Sequence, residues 1–164
     1  MTTRTFAKWV EPAAAELRQG RAEIVRTANQ LLPEHWSMPS PLEGWSYKDL
    51  LAHLATGDWV FQTVLGAVTG GEPFDLAQID LDFINAGNAR LLEERKGRSP
   101  QELIAEATAE GEETQELLAK LTDADESRTP EGRPMSLAEG LRRFPGHDRD
   151  HLSQLKTALD NVML

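Results

Sequence analysis

The chain has 164 residues, enough for one domain with a real core, and 17 basic against 27 acidic residues leave a net charge of −10. That charge repels phosphate backbones and anionic lipid, so nucleic acid is not an expected partner. With no cysteine, disulfides, thiolate nucleophiles and thiolate-ligated metals are excluded, and a reducing cytoplasm is the expected setting.

The segment Met1-Thr2-Thr3-Arg4-Thr5-Phe6-Ala7 lacks the apolar core of a signal peptide. The periodicity is helical nearly throughout. Pro12 suits a first turn, and Val10, Ala13, Leu17, Gly20, Ile24, Ala28 and Leu31 step by three and four, predicting a first helix that ends near Leu32 and Pro33. A proline-rich loop carries Pro33, Pro39 and Pro41 and closes on Gly44 and Trp45. Ser46 with Asp49 three residues on is a reciprocal helix cap. The helix it opens carries Leu50, Leu54, Gly57, Phe61, Val64 and Val68 before Gly70 and Gly71 stop it.

Residues 72 to 79 read as loop and 80 to 95 as a shorter helix. Ser99, Pro100 and Glu102 start the next long helix, which uses Leu103, Ala107, Thr114, Leu117 and Leu121. Pro130, Gly132 and Pro134 mark a turn, and Ser136 with Glu139 opens a final helix running to about Asn161. No linker or repeat divides residues 1–164. The expected fold is all-α, a four-helix bundle. The first two and the last two helices are joined by about 14 residues each, and the middle pair by roughly 30, on boundaries good to a few residues. A crossover of that length, holding the short helix, leaves the middle pair parallel and favours an up-down-down-up order.

Three of the four histidines carry the functional signal. His147 and His151 are four apart and share one helix face, so each can offer a ring nitrogen to one ion. His53 lies between Leu50 and Gly57 on the inward face of the second helix. A buried histidine satisfied by a hydrogen bond is the plainer reading of any one of them. Two side by side in a core both need partners, however, and a shared metal supplies them. A third imidazole from a facing helix would complete a three-nitrogen site with open positions, as in catalytic zinc. Ligand type alone does not separate zinc, nickel and iron(II).

Around these positions, Gly57 would leave room for a substrate, and Pro145 with Gly146 should kink the last helix or restart it between Leu141 and His147. Asp148, Asp150 or Gln154 could orient a ligand imidazole through its second nitrogen. Trp45 is expected to pack under the second helix or line a pocket, and Asn85 and Asn88 to cap or face solvent. His35 reads as a solvated loop residue. The nine carboxylates of residues 101–126, opposed only by Lys120, read as a solvated face.

The stretch Pro41-Leu42-Glu43-Gly44-Trp45-Ser46-Tyr47-Lys48-Asp49-Leu50-Leu51-Ala52-His53-Leu54, followed by His147-Asp148-Arg149-Asp150-His151-Leu152, resembles the DinB-like (DinB/YfiT) superfamily of four-helix metalloproteins. The likeness covers the whole chain in helix order. It implies the same up-down-down-up bundle and a three-histidine metal site at His53, His147 and His151. Relatives include thiol S-transferases that use bacillithiol or mycothiol, a mycothiol-dependent maleylpyruvate isomerase, and proteins described as metal-dependent hydrolases. The Gly44-Trp45-Ser46 opening is most like the mycothiol-dependent branch. That branch usually carries glutamate where this chain has His147, which points to the general three-histidine class.

The expected function is metal-assisted attack of a thiol or water on a small electrophilic substrate. A low-molecular-weight thiol cosubstrate is implied by the resemblance alone. The expected partner is a small molecule, with no nucleic acid and no membrane, and a homodimer is left open. A metal-stabilised binding or stress-response module without turnover is the alternative.

Overall fold

Pro12 stands in the first turn of α1 (Glu11–Ala28), where its missing N–H costs no hydrogen bond. The structure is a computed structural model and describes residues 4–70 and 74–160. Along α1 the buried residues include Ala13, Leu17, Arg21, Ile24 and Ala28, one stripe of a 3.6-residue period. All three expected reciprocal caps form. The Ser46 amide donates to Asp49 at 2.9 Å and the Asp49 amide to Ser46 Oγ at 3.2 Å. Ser99 with Glu102 and Ser136 with Glu139 repeat the arrangement.

The second long helix departs from expectation. It is two helices, α2 (Tyr47–Ala55) and α3 (Trp59–Val68), separated at Gly57. Gly57 takes φ +60°, the left-handed conformation that ends a helix and that glycine adopts at least cost. Asp58 then caps α3, its Oδ1 accepting from the Phe61 amide at 3.0 Å. Glycine followed by an aspartate is thus a stop and a restart, hidden in the sequence by apolar residues that stay in phase across it.

After a single 3₁₀ turn at Leu76–Gln78 comes α4 (Leu81–Arg95), the short helix of the crossover, and then α5 (Pro100–Ala119) and α6 (Leu137–Asp160). Of the expected kink or restart in the last helix, the restart does not occur, since α6 runs unbroken through Pro145. A mid-helix proline costs about 3 kcal/mol locally. The buried Leu141, Phe144, Leu152 and Leu155 on either side anchor the helix against that cost. No strand forms among the described residues, where one isolated β-bridge joins Pro39 and Ser46. No described helix is long and apolar enough to cross a membrane.

Side-chain pairs give the helix directions. Glu16 meets Arg149, Arg21 meets Asp148 and Glu23 meets Lys156, so α1 and α6 are parallel. Ala14 meets Gln115 and Arg21 meets Glu110, so α1 and α5 are antiparallel. Tyr47 meets Thr157, His53 meets His147 and Phe61 stacks on Phe144, so α2 and α3 run opposite to α6. The order is up-down-down-up.

The core falls into two apolar clusters. One gathers Ile24, Leu50, Leu54, Leu103, Ala107 and Leu155, and the other Val10, Leu17, Leu65, Leu118, Leu141 and Phe144. Between them stand Arg21 on α1, Gly57 at the α2–α3 break, Glu110 on α5 and Asp148 on α6, all buried. A polar layer therefore crosses the bundle at the level of the α2–α3 break.

Candidate metal centre

His53 occupies the last turn of α2, just before that break, and is buried with 8 % exposure. His147 and His151 lie one turn apart on α6 and are half-buried. The three ring systems converge. His53 Nε2 is 3.2 Å from His147 Nε2, and the His151 ring centroid lies 4.8 Å from that of His53 and 4.6 Å from that of His147. One nitrogen from each histidine falls within 4.8 Å of the others.

The electrostatics favour the neutral form of His53 and His151. Burial, and then the neighbouring His147 and His151, hold His53 down to about 3, far below the usual histidine range. Burial also lowers His151, against the hydrogen bond from its Nδ1 to Gln154 Oε1 at 2.7 Å. Neutral imidazoles are the form that ligates a cation. Gln154 fixes the Nδ1–H tautomer of His151 and leaves its Nε2 free to coordinate. His147 Nδ1 is 3.6 Å from Asp148 Oδ1 and has no hydrogen-bond partner among the described residues. Three imidazole nitrogens on helices thus form a group that could hold a metal ion.

The histidines open on a cleft of about 570 Å³ walled by Leu42, Trp45, Trp59, Val60, Ile84 and Asn88. Trp45 meets the His53 ring edge-on at 5.3 Å. Trp59 Nε1 donates to Asn88 Oδ1 at 2.8 Å, which fixes one wall. Asn88 is therefore a structural acceptor at the site, whereas Asn85 and Asp150 are exposed.

Two expectations fail. His35 is buried at 4 % exposure, because the 3₁₀ turn Pro33–Ser37 tucks it inward and its Nδ1 accepts from the Leu32 amide at 2.9 Å. The acidic stretch is not all solvated. Glu110 is buried against Arg21 Nη2 at 2.8 Å, and burial raises its pKa against the pull of that guanidinium. Arg21 and Glu110 escaped the sequence reading. Their signal was present, since Arg21 falls four after Leu17 and Glu110 three after Ala107, both on core-facing stripes.

A family model described as Mycothiol maleylpyruvate isomerase N-terminal domain matches residues 17–145. No curated protein and no solved structure matches the chain. The match covers the Gly44-Trp45-Ser46 helix opening and leaves position 147, whose histidine is expected to mark the general three-histidine class, outside it. It includes His53 and ends before His147 and His151. The chain belongs to this family, within the DinB-like superfamily of helical metalloproteins.

Proposed function

We propose that this family member is a metal-dependent enzyme of the thiol S-transferase or hydrolase type, with one divalent cation held by His53, His147 and His151. The observation that carries the reading is the convergence of three imidazole nitrogens within 4.8 Å of one another in residues that line a cleft. A cation bound there supplies Lewis-acid activation of a thiol or water nucleophile for attack on a small electrophile.

The protein's own groups do the rest. His53 has no proton to displace near neutral pH, so it offers its lone pair directly. Gln154 orients His151. Trp45, Trp59 and Ile84 form apolar walls that exclude water from the reacting groups and hold the body of a small substrate. The chain has no sulfur nucleophile of its own, so a thiol enters as cosubstrate. Its low-molecular-weight class is supported by the family's description as mycothiol-linked.

The test is a panel of small electrophiles with mycothiol, other low-molecular-weight thiols or water, run with metal-loaded and metal-free protein. Consumption that requires both the metal and His53 supports the reading. Stoichiometric metal with ligand retention and no turnover across the panel would replace it with a binding module.

A further inference from the structure

We propose that Arg21 is the positioning residue of the histidine centre, setting the distance between His53 on α2 and the paired histidines on α6. The proposal rests on the metal reading above. Arg21 reaches from α1 into the polar layer with only 8 % of its surface exposed. One guanidinium nitrogen, Nη1, donates to the backbone carbonyl of Leu54, the residue after His53. The other, Nη2, pairs with Glu110 Oε2 at 2.8 Å and with both Asp148 oxygens at 3.1 Å. Asp148 is the residue after His147. A single planar cation therefore grips the chain next to one histidine and the side chain next to another.

The arrangement suits arginine alone. The Leu54 carbonyl lies in the last turn of α2, the negative end of the helix dipole, where it already accepts from the Gly57 amide at 3.1 Å and keeps a second lone pair for a cation. A guanidinium presents a rigid fork that can serve a carbonyl on one side and carboxylates on the other, whereas lysine offers a point charge on a flexible stem. Space for the stem is provided on α5, where a Cβ on Gly111 would lie 2.7 Å from Arg21 Cγ. Helices α2 and α6 carry the three histidines, and Arg21 is a side chain of neither. It acts on the centre through Leu54 and Asp148.

The experiment compares wild type with Arg21→Lys, Arg21→Met and the charge-free triple variant Arg21→Met/Glu110→Gln/Asp148→Asn, all as full chains. Far-UV circular dichroism reports folding, and the triple variant avoids leaving two buried carboxylates without a counter-charge. Cobalt(II) titration against a chelator, with its visible d–d spectrum, reports affinity and ligand geometry. Long-range ¹⁵N–¹H spectra of the metal-free chain report each imidazole.

The expected result is about a 10–100-fold loss of cobalt(II) affinity, the range for disturbed outer-shell partners, in all three folded variants. The bands of the remaining complex should shift, and His53 and His147 resonances should move while His35, held by its own bond to the Leu32 amide, stays fixed. Wild-type affinity and spectrum in any folded variant would overturn the proposal. Collapse of all three variants would overturn it as well, by making Arg21 part of the bundle's stability and not a setting of its histidines. If wild type itself fails to bind cobalt(II), the metal reading falls, and the metal-free imidazole shifts still decide whether Arg21 sets the ring positions.

Discussion

The carboxylate of Glu110 occupies the space that a side chain at residue 57 would fill. A Cβ built on Gly57 would lie 2.2 Å from Glu110 Oε1 and 2.8 Å from Oε2. Gly57 thus answers two demands together, a left-handed turn between α2 and α3 and the close approach of a buried acid from α5. From the sequence this glycine is expected to leave room for a substrate. It borders the cleft, but the space beside its Cα belongs to Glu110.

Gly57→Ala should therefore destabilise the protein by about 1–3 kcal/mol from backbone strain alone, with displacement of Glu110 adding to the loss. Urea unfolding of the two proteins measures it. Because His53 sits one turn before the break, the variant should also bind metal more weakly. Equal stability would show that the turn can be made without glycine.

One divalent ion should bind per chain, and His53→Ala, His147→Ala and His151→Ala should each lower affinity by more than the roughly 10–100-fold expected for loss of an outer partner. Gln154→Ala, which frees the Nδ1 side of His151, should fall within that range. Elemental analysis followed by titration of the chelator-stripped protein reads both. Wild-type stoichiometry and affinity in His53→Ala would remove His53 from the ligand set.

The metal-free protein should lose stability on mild acidification. His53 stays neutral in the fold down to about 3 but binds a proton near its usual 6.5 when unfolded. The unfolded state therefore holds more protons between these values, and stability falls as pH drops through that window, by up to about 1.4 kcal/mol per pH unit for one such group. His151, also lowered, acts in the same direction. Above pH 6.5 neither contributes a slope. Chemical denaturation from pH 8 to 4 should show the decline, and His53→Gln should flatten it. An unchanged slope in that variant would assign the acid sensitivity elsewhere.

Pro145→Ala should restore an N–H for the Leu141 carbonyl while leaving metal affinity unchanged, since α6 already runs unbroken through the proline. Isothermal titration of the variant decides this. Weakened binding would mean that the proline aims His147 after all.

What the sequence made legible follows periodicity and caps. Ser46, Ser99 and Ser136 each announce a helix start through a partner three residues on, and all three bonds form. The convergence of His53 with His147 and His151 was readable because two share a helix face and the third lies on an inward stripe. The break at Gly57 was not, since Leu54, Phe61 and Val64 keep a helical phase across it. The burial of His35 was not readable either, and that of Arg21 and Glu110 was marked only by their places on core-facing stripes. Charged and polar residues are assigned to solvent by default, and only the three-dimensional pairing of Arg21 with Glu110 and Asp148 reveals that their charges compensate one another. Helix α4 was found in place, but its bond from Trp59 to Asn88 depends on a wall that no local pattern describes.

The parallel pairing of α1 with α6 bears on the order in which the protein takes shape during synthesis. His53 and His147 are 94 residues apart in the chain, and most of the contacts that hold α1 come from α5 and α6. A ribosome adding about 5–20 residues per second delivers the N-terminal helices well before their packing partners. The polypeptide spends that interval with the face of α1 that meets α5 and α6 uncovered, and with Arg21 lacking both of its carboxylate partners. Such non-local pairing slows folding relative to a meander of neighbouring helices. The histidine cluster is accordingly a product of late assembly, and a cation that requires all three rings can be captured only once α6 has docked.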